Sequence, residues 1–280
     1  MPELPEVETI VQTLRPRGVN AWIVSANLLR GDIVEPPGTN LGELLTGLRV
    51  GAIDRRGKRI IVTLKPDGLL VIRLGMTGRL TLHPLAAPPR AHTHLVLQLA
   101  PATLGEAGFE IHFCDPRRFG GIRWLTNGEL PDAGLGPEPL TISQGTLGQA
   151  LSRTGRAIKS ALLDQSVIAG LGNIYVDESL FCAGIHPLTP ADTLCADQVR
   201  TLRSAIISTL RKAIRHRGST LRDYVDAAGG KGSFQKLHNV YGKSSHPCPN
   251  CADTILRIVL GGRSTCYCPR CQPAAAASRP

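Results

Sequence analysis

CPNCADTILRIVLGGRSTCYCPRC (Cys248–Cys271) decides how this chain ends. Its two CxxC knuckles, Cys248/Cys251 and Cys268/Cys271, stand sixteen residues apart. Each knuckle turns two sulfurs toward one point, and two knuckles at that distance supply the four thiolates of a tetrahedral zinc site. Four thiolates close the coordination shell, so the pattern predicts one structural Zn2+ and no metal-bound reactive water. Cys266 does not fit either knuckle and is read as a non-ligand. His246 could stand in for a thiolate, but four better-spaced cysteines leave it nothing to bind. Between the knuckles two strand-like runs flank Gly261-Gly262, which predicts a β-ribbon with Arg263 at its turn, either phosphate-facing or solvated. A segment this small has no core of its own and folds on its metal.

Outward from the ribbon, the totals bound the rest. At 280 residues the chain is long for one core, so two or more domains are expected. A hydrophobic content of 42% with 30 glycines and 21 prolines is the composition of a globular chain with many turns. No stretch approaches the roughly 18 uninterrupted apolar residues of a membrane span. The N-terminus also lacks the basic-then-apolar order of a signal peptide, and a cytosolic protein is expected. In a reducing compartment the five cysteines between 248 and 271 argue for metal rather than disulfides. Cys114, Cys182 and Cys195 are solitary and read as buried, inert thiols. A net charge of +10 and a pI near 9.5 favour an acidic polymer as partner, nucleic acid first.

The densest acidic cluster nevertheless stands at the start. In MPELPEVETI (Met1–Ile10), Pro2 and Pro5 accompany Glu3, Glu6 and Glu8. Proline and acids are favoured at a helix N-terminus by geometry and by the macrodipole, so a helix is predicted from Val7 to about Leu14, stopping before Pro16-Arg17-Gly18. From there to about residue 130 the chain reads mostly as strands. RIIVTLKPDGLLVIRL (Arg59–Leu74) is two apolar runs about a Pro-Asp-Gly turn, and HLVLQLA (His94–Ala100) and FEIHFCD (Phe109–Asp115) alternate. GGIRWLT (Gly120–Thr126) makes one more short strand. Such strands, punctuated by Gly and Pro, form an antiparallel sandwich or barrel.

NGELPDAGLGPEPLT (Asn127–Thr141) reads as a linker. Beyond it GTLGQALSRT (Gly145–Thr154), AIKSALLDQ (Ala157–Gln165), NIYVDESLFCAG (Asn173–Gly184) and ADQVRTLRSAIISTLRKAIRH (Ala196–His216) have helical spacing. In the last, Val199, Leu202, Ile206, Leu210 and Ile214 make one stripe, with Arg203, Arg211, Lys212 and Arg215 largely away from it, on a solvated or phosphate-facing side. DAAGGKGSF (Asp226–Phe234) is a flexible loop and not a P-loop, since no Ser or Thr follows Lys231. The chain has no internal repeat. The organisation predicted is an N-terminal domain over 1–132, a linker over 133–148, a helical domain over 149–240, a zinc finger over 241–272 and a disordered tail over 273–280.

Taken in order, MPELPEVET, RRGK (Arg55–Lys58), LGMTGRL (Leu74–Leu80), DPRRFGG (Asp115–Gly121), LGPEPL (Leu135–Leu140), GLGNIYVDE (Gly170–Glu178) and NVYG (Asn239–Gly242), followed by the cysteine ribbon, resemble the formamidopyrimidine-DNA glycosylase family of bacterial base-excision repair enzymes. The resemblance spans nearly the whole chain. Related endonuclease VIII-like enzymes typically carry glycine at the fourth position, where this chain has Leu4. The resemblance implies an α+β multidomain fold: an N-terminal β-sandwich with an N-terminal helix, a helix–two-turns–helix DNA-binding domain, and a zinc β-ribbon. It implies a monomeric DNA glycosylase and AP lyase that excises oxidised purines (8-oxoguanine, formamidopyrimidines) from double-stranded DNA.

In that family the initiator methionine is removed and the proline amine attacks C1′ of the damaged nucleotide; the matching residue here is Pro2. An α-amine titrates at about 7.7–8.0, so much of it is a neutral nucleophile at physiological pH. Glu3, beside it, suits proton transfer at the sugar oxygen, and Glu6 lies one helical turn on. Acids beside a DNA groove cost binding, which points to a catalytic use. Lys58 matches the lysine that acts near the phosphate or in proton transfer during elimination. Arg263 matches the zinc-finger arginine at the lesion phosphates, linked to the second elimination. A base inside a duplex must be flipped out and the gap filled. Met76, on the Gly75-Met76-Thr77-Gly78 turn, with Arg117 and Phe119, matches that wedge, Arg117 facing the orphaned base.

Gly170 and Gly172 let backbone amides approach phosphate, and Asn173 starts a helix whose N-terminus favours anions. Lys159 and His92 are further phosphate candidates. The chain departs from the family four positions before Lys159, where a basic residue is replaced by Gly155 with Arg153 and Arg156 nearby. Lys231, in the lesion-covering loop, is offset by one position. Two other readings compete. An endonuclease VIII-like preference for oxidised pyrimidines is opposed by MPELPE and by the DPRRF wedge. A non-catalytic zinc-ribbon DNA-binding protein explains charge and cysteines but not Pro2-Glu3.

Overall fold

Glu3 ends the extended N-terminus and starts the first helix. With φ −104° and ψ −171° it is the N-cap of α1 (Leu4–Gly18), and Pro5 in the first turn forfeits no hydrogen bond there. The structure, a computed structural model, describes residues 2–103, 105–125 and 129–274. Met1, with its expected removal, and residues 275–280 of the tail lie outside the described residues. Helix α1 runs past both predicted ends and through Pro16. That proline sits in the last turn, where a missing N–H forfeits a single bond. The turn is held by Arg15, whose Nε donates to Ile53 O at 2.7 Å, and by Val19 N–H on Arg15 O at 3.1 Å.

The strands that follow are β1 (Trp22–Leu28), β2 (Val34–Glu35), β3 (Arg49–Arg56), β4 (Arg59–Lys65), β5 (Leu69–Arg73), β6 (Arg79–Pro84), β7 (Thr93–Ala100), β8 (Phe109–Cys114) and β9 (Gly121–Leu125), with a short helix α2 (Leu41–Leu45) before β3. Among the described residues they form one sheet in the order β2-β9-β5-β4-β3-β1-β7-β8-β6. β1 and β3 share a single register pair, Trp22 with Arg49, so the sheet is two leaves joined at a corner. Both leaves turn their apolar face to one core: Ile53, Ile60, Ile72 and Ile122 from one, Ile23, Leu95, Phe109 and Phe113 from the other, with Val7, Ile10, Val11 and Leu14 of α1. This is the expected sandwich with its helix. α2 carries no sequence stripe and was not anticipated.

The chain divides into two compact units, residues 1–133 with 216–233, and 134–215 with 234–280. The predicted helical block over 149–240 is therefore interrupted. Residues 216–233 return to the first unit because partners wait there. Ser219 N–H donates to Glu6 Oε1 at 2.7 Å, Leu82 N–H to Ala227 O at 2.7 Å, and Arg79 pairs with Asp223 at 3.2 Å.

In the second unit lie α3 (Gln144–Leu151), α4 (Ile158–Leu163), α5 (Asn173–Ala183), α6 (Ala196–Arg215), and the hairpin β10 (Leu256–Leu260) with β11 (Arg263–Tyr267). Of the α6 stripe, Val199, Leu202, Ile206 and Leu210 are buried. α5 is buried along Ile174–Phe181, acids included. Glu178 accepts backbone N–H groups from Asn239, Val240 and Tyr241 at 2.8–3.0 Å. Asp177 accepts Lys159 Nζ on one oxygen at 2.6 Å and Cys266 N–H on the other at 3.0 Å. Lys159 Nζ also donates to Ser264 O at 2.9 Å.

Two expectations are corrected. Lys159 is no phosphate contact: it is completely buried, and its charge is spent on fixing the β10–β11 hairpin to α4 and α5. Cys182 and Cys195 are exposed rather than buried, and Cys114 is half-buried. Among the described residues no helix is long and apolar enough to cross a membrane.

The Lys159–Asp177 pair yields a stability test. Burial pushes the Asp177 carboxyl up and the Lys159 ammonium down, each opposed by the partner's charge. Removing one partner leaves an uncompensated buried charge, so Lys159→Met should cost about 3–5 kcal/mol. Lys159→Met with Asp177→Asn, which keeps an acceptor for Cys266 N–H, should recover most of that loss. Thermal melting of the three proteins measures both effects.

Candidate functional site

In the first unit the chain start is built around one carboxylate. Pro2 is buried, and Glu3 and Glu6 form a capping box across the first turn of α1, Glu3 N–H donating to Glu6 Oε2 at 2.8 Å. Glu6 Oε1 takes Ser219 N–H. The approach is close enough that a Cβ on Gly218, whose φ is +77°, would lie 2.6 Å from Glu6 Oε1. Both Glu6 oxygens thus hold backbone. That geometry suits positioning, while Glu3 stands next to residue 2.

Glu8 accepts Arg55 Nε–H at 2.8 Å, and Arg55 Nη1 donates to Gly57 O at 3.0 Å. These contacts tie α1 to the Gly57-Lys58 turn between β3 and β4, with Gly57 at φ +56° and Lys58 half-buried.

Two further turns carry exposed apolar side chains. Met76, between β5 and β6, is 41% exposed, and Phe119, between β8 and β9, is 58% exposed. The Arg117 guanidinium lies 4.7 Å from the Phe119 ring centre. The turns touch through glycine: a Cβ on Gly75 (φ +59°) would meet Gly120 N and Phe119 C at 2.4 Å. The exposed His92 sits at φ +65° and accepts Asp115 N–H at 3.0 Å through its carbonyl.

The loop around Lys231 is also built on an acid. Buried Asp226 accepts the N–H groups of Ala228 and Gly230, both at 2.9 Å, and an ion pair from Arg217. Lys231, exposed, follows this knot, and Gly232 N–H donates to Thr220 Oγ1 at 2.9 Å.

In the second unit Asn173 opens α5 after Gly172, as predicted, and its Nδ2 donates to Ser264 O at 2.9 Å. Gly170, at φ +88°, donates its N–H to Gln165 Oε1, so that amide is already spent. Gly261 and Gly262 make a two-residue hairpin turn with both φ positive (+55° and +73°), a backbone that glycine adopts without strain. Arg263 stands exposed beside it. Its neighbour Ser264 is pinned by Lys159 and Asn173, which fixes where the arginine starts.

Cys248, Cys251, Cys268 and Cys271 converge, all four Sγ atoms lying within 4.8 Å of one another. Three of the pairs measure 3.5, 3.6 and 3.8 Å. With Zn–S bonds of about 2.3 Å, a regular tetrahedron has edges of about 3.8 Å. The donor set fits a structural zinc. Cys266 falls outside the group, its N–H on Asp177, and the His246 ring faces Ser244 O at 3.1 Å.

Sequence reasoning missed four acids: Asp115, Asp177, Glu178 and Asp226. The signal available was their setting, carboxylates inside apolar or glycine-rich segments, where burial demands a partner.

Three family models match the chain: the formamidopyrimidine-DNA glycosylase N-terminal domain over residues 1–122, the formamidopyrimidine-DNA glycosylase H2TH domain over 135–225, and a zinc finger found in FPG and IleRS over 245–274. A formamidopyrimidine-DNA glycosylase of Chloroflexus aggregans is 42% identical, covering 97% of this chain and 98% of its own. That of Bacillus subtilis is 39% identical over 97% and 99%. Among solved structures, Lactococcus lactis Fpg in complex with an abasic site containing DNA superposes with a TM-score of 0.88 at 34% identity, covering 97% of this chain and 100% of that one. A mutant of the same enzyme with a Fapy-dG containing DNA gives 0.89 at 34%, over 98% and 100%.

Atomic emission on the purified protein should find one zinc per chain. Cys248→Ser should lose it and, because the ribbon folds on its metal, lose DNA binding with it. A zinc-free variant that retains full binding would sink the structural assignment.

Proposed function

The chain belongs to the formamidopyrimidine-DNA glycosylase family, and on that premise we propose that it is a cytosolic base-excision-repair enzyme, a bifunctional DNA glycosylase and AP lyase acting on oxidised purines in duplex DNA. The observation that carries the mechanism is the chain start: Pro2 and the buried Glu3 at the mouth of α1, held there by Glu6.

Removal of Met1 frees the Pro2 amine, whose lone pair attacks C1′. The glycosidic bond breaks, and its electrons leave with the base, which takes the amine proton. Glu3 protonates O4′ as the sugar ring opens, leaving a cationic iminium between Pro2 and C1′. The iminium acidifies C2′: loss of that proton expels the 3′-phosphate, and loss of the C4′ proton then expels the 5′-phosphate. Lys58 and Arg263 bring positive charge to the departing phosphates or move a proton there. His92, Asn173 and the first-turn amides of α5 hold the neighbouring backbone. Met76, Arg117 and Phe119 fill the gap left by the flipped nucleotide, and Lys231 lies in the loop over the lesion. Glu6 positions and does not exchange a proton. Cys248, Cys251, Cys268 and Cys271 would hold the zinc as a structural ion, which would supply no chemistry to the reaction.

Two experiments test this reading. Borohydride should reduce the iminium and trap a protein–DNA adduct whose modified peptide begins at Pro2. One uncleaved extra residue at the N-terminus should abolish the adduct, because the amine becomes an amide. Trapping at Lys58 would prove the nucleophile assignment wrong.

The second concerns the wedge. Met76→Ala should slow base excision by about tenfold or more, since unstacking costs a few kcal/mol that the wedge offsets. Strand cleavage at a pre-formed abasic site, which scarcely incurs that cost, should change little. Equal losses on both substrates would make Met76 an ordinary packing residue.

A further inference from the structure

A side chain can fill a gap in a base stack only if its turn is rigid before DNA arrives; otherwise the ordering cost falls due at insertion. Neither exposed turn draws that rigidity from the core, because Met76 and Phe119 point their apolar surface outward. Beyond the close packing of Gly75 on Phe119 and Gly120, the hydrogen bonds between the turns gather around Asp115, which has no exposed surface. Its Oδ1 accepts Thr77 Oγ1 at 2.6 Å and shares Arg117 N–H at 3.3 Å, and its Oδ2 accepts Gly120 N–H at 2.7 Å. Arg117 N–H also reaches Thr77 Oγ1 at 3.3 Å. One carboxylate therefore clamps residue 77, next to Met76, to residues 117 and 120, on either side of Phe119.

The clamp is itself fixed to the sheet. Asp115 N–H donates to His92 O, and the buried His94 ring contacts Asp115 O at 2.8 Å. The loop keeps Arg118 at φ +54°, a strained setting for a side chain with a Cβ, which persists where surrounding contacts over-determine it.

We propose that Asp115 is a positioning residue for base excision: it preorganises Met76, Arg117 and Phe119 as one rigid wedge and touches no substrate. The proposal rests on the wedge reading above. An acid that only satisfied its own turn would need Gly120 and Arg117 alone. The bond to Thr77, 38 positions away in sequence, joins the two halves.

The test uses Asp115→Asn, Thr77→Val, Thr77→Ser and Met76→Ala in the full-length zinc-loaded protein. Single-turnover excision of a base from duplex DNA is compared with cleavage of a pre-formed abasic site. Asp115→Asn should slow excision about tenfold, as charge-assisted bonds give way to weaker ones, and change abasic-site cleavage by less than about twofold. Thr77→Val, which cuts only the link between turns, should show the same selective loss in part, and Thr77→Ser should restore it. Added to Met76→Ala, Asp115→Asn should cause less than its full loss, since one of the three side chains it positions is gone. Equal losses on both substrates, or multiplication of the two effects, would overturn the proposal while leaving the wedge intact. Met76→Ala without a selective loss would remove the wedge reading and the proposal together.

Discussion

A carboxylate taken out of water must be met by donors, and this fold is organised by that demand. Glu6, Asp115, Asp177, Glu178 and Asp226 are each at least 98% buried. Nearly every donor they receive is a main-chain N–H or a side chain from elsewhere in the chain: Ser219 for Glu6, Thr77 and Gly120 for Asp115, Lys159 and Cys266 for Asp177, residues 239–241 for Glu178, Arg217 and Gly230 for Asp226. Hydrophobic burial makes the two cores but is indifferent to direction. The acids supply direction. Each fixes a particular loop at a particular place because leaving any of these groups unpaired costs more than the loop's freedom is worth.

This arrangement also reconciles a basic protein with its acids. Carboxylates that do the anchoring lie inside, met by N–H and hydroxyl donors or, for Asp177 and Asp226, by a cation. The residues left exposed on the turns that matter are cationic or apolar: Arg117, Phe119, Met76, Lys231 and Arg263. Glu3 differs from the other acids in its place, at the first turn beside residue 2. On these turns, then, the anchoring acids are inside and the exposed charges are positive.

Much of this was legible beforehand, and the reason differs from part to part. The thiolate cage and its glycine turn were readable because metal geometry and positive φ each admit few residue types. Strands such as Phe109–Cys114 and the α6 stripe followed from period alone. Lys159 was named a phosphate candidate by resemblance, and its burial was not legible because its partner Asp177 lies 18 positions on and in a different helix. Asp115 and Asp226 were passed over for the same reason. Besides Thr77 and Arg217, what they hold is backbone N–H, which every residue has, so little in the side-chain pattern announces it. The return of residues 216–233 was invisible because its cause, a buried oxygen on Glu6, lies more than 200 positions away.

The discontinuity of the first unit bears on how the protein is made. Its sandwich and α1 are synthesised within the first 133 residues, but the strand of chain that satisfies Glu6 and adds Ala227 to the core ends at residue 233. A ribosome adding about 5–20 residues per second takes roughly 5–20 s to cover that interval. Over that time any sandwich formed by the first 133 residues lacks the Ser219 donor to Glu6 and the Ala227 side chain of its core. The residues of α3 to α6 are synthesised in between, before the first unit has its last segment. Completion of one unit is thus nested inside the birth of the other, and the order of translation becomes part of the folding problem that this sequence solves.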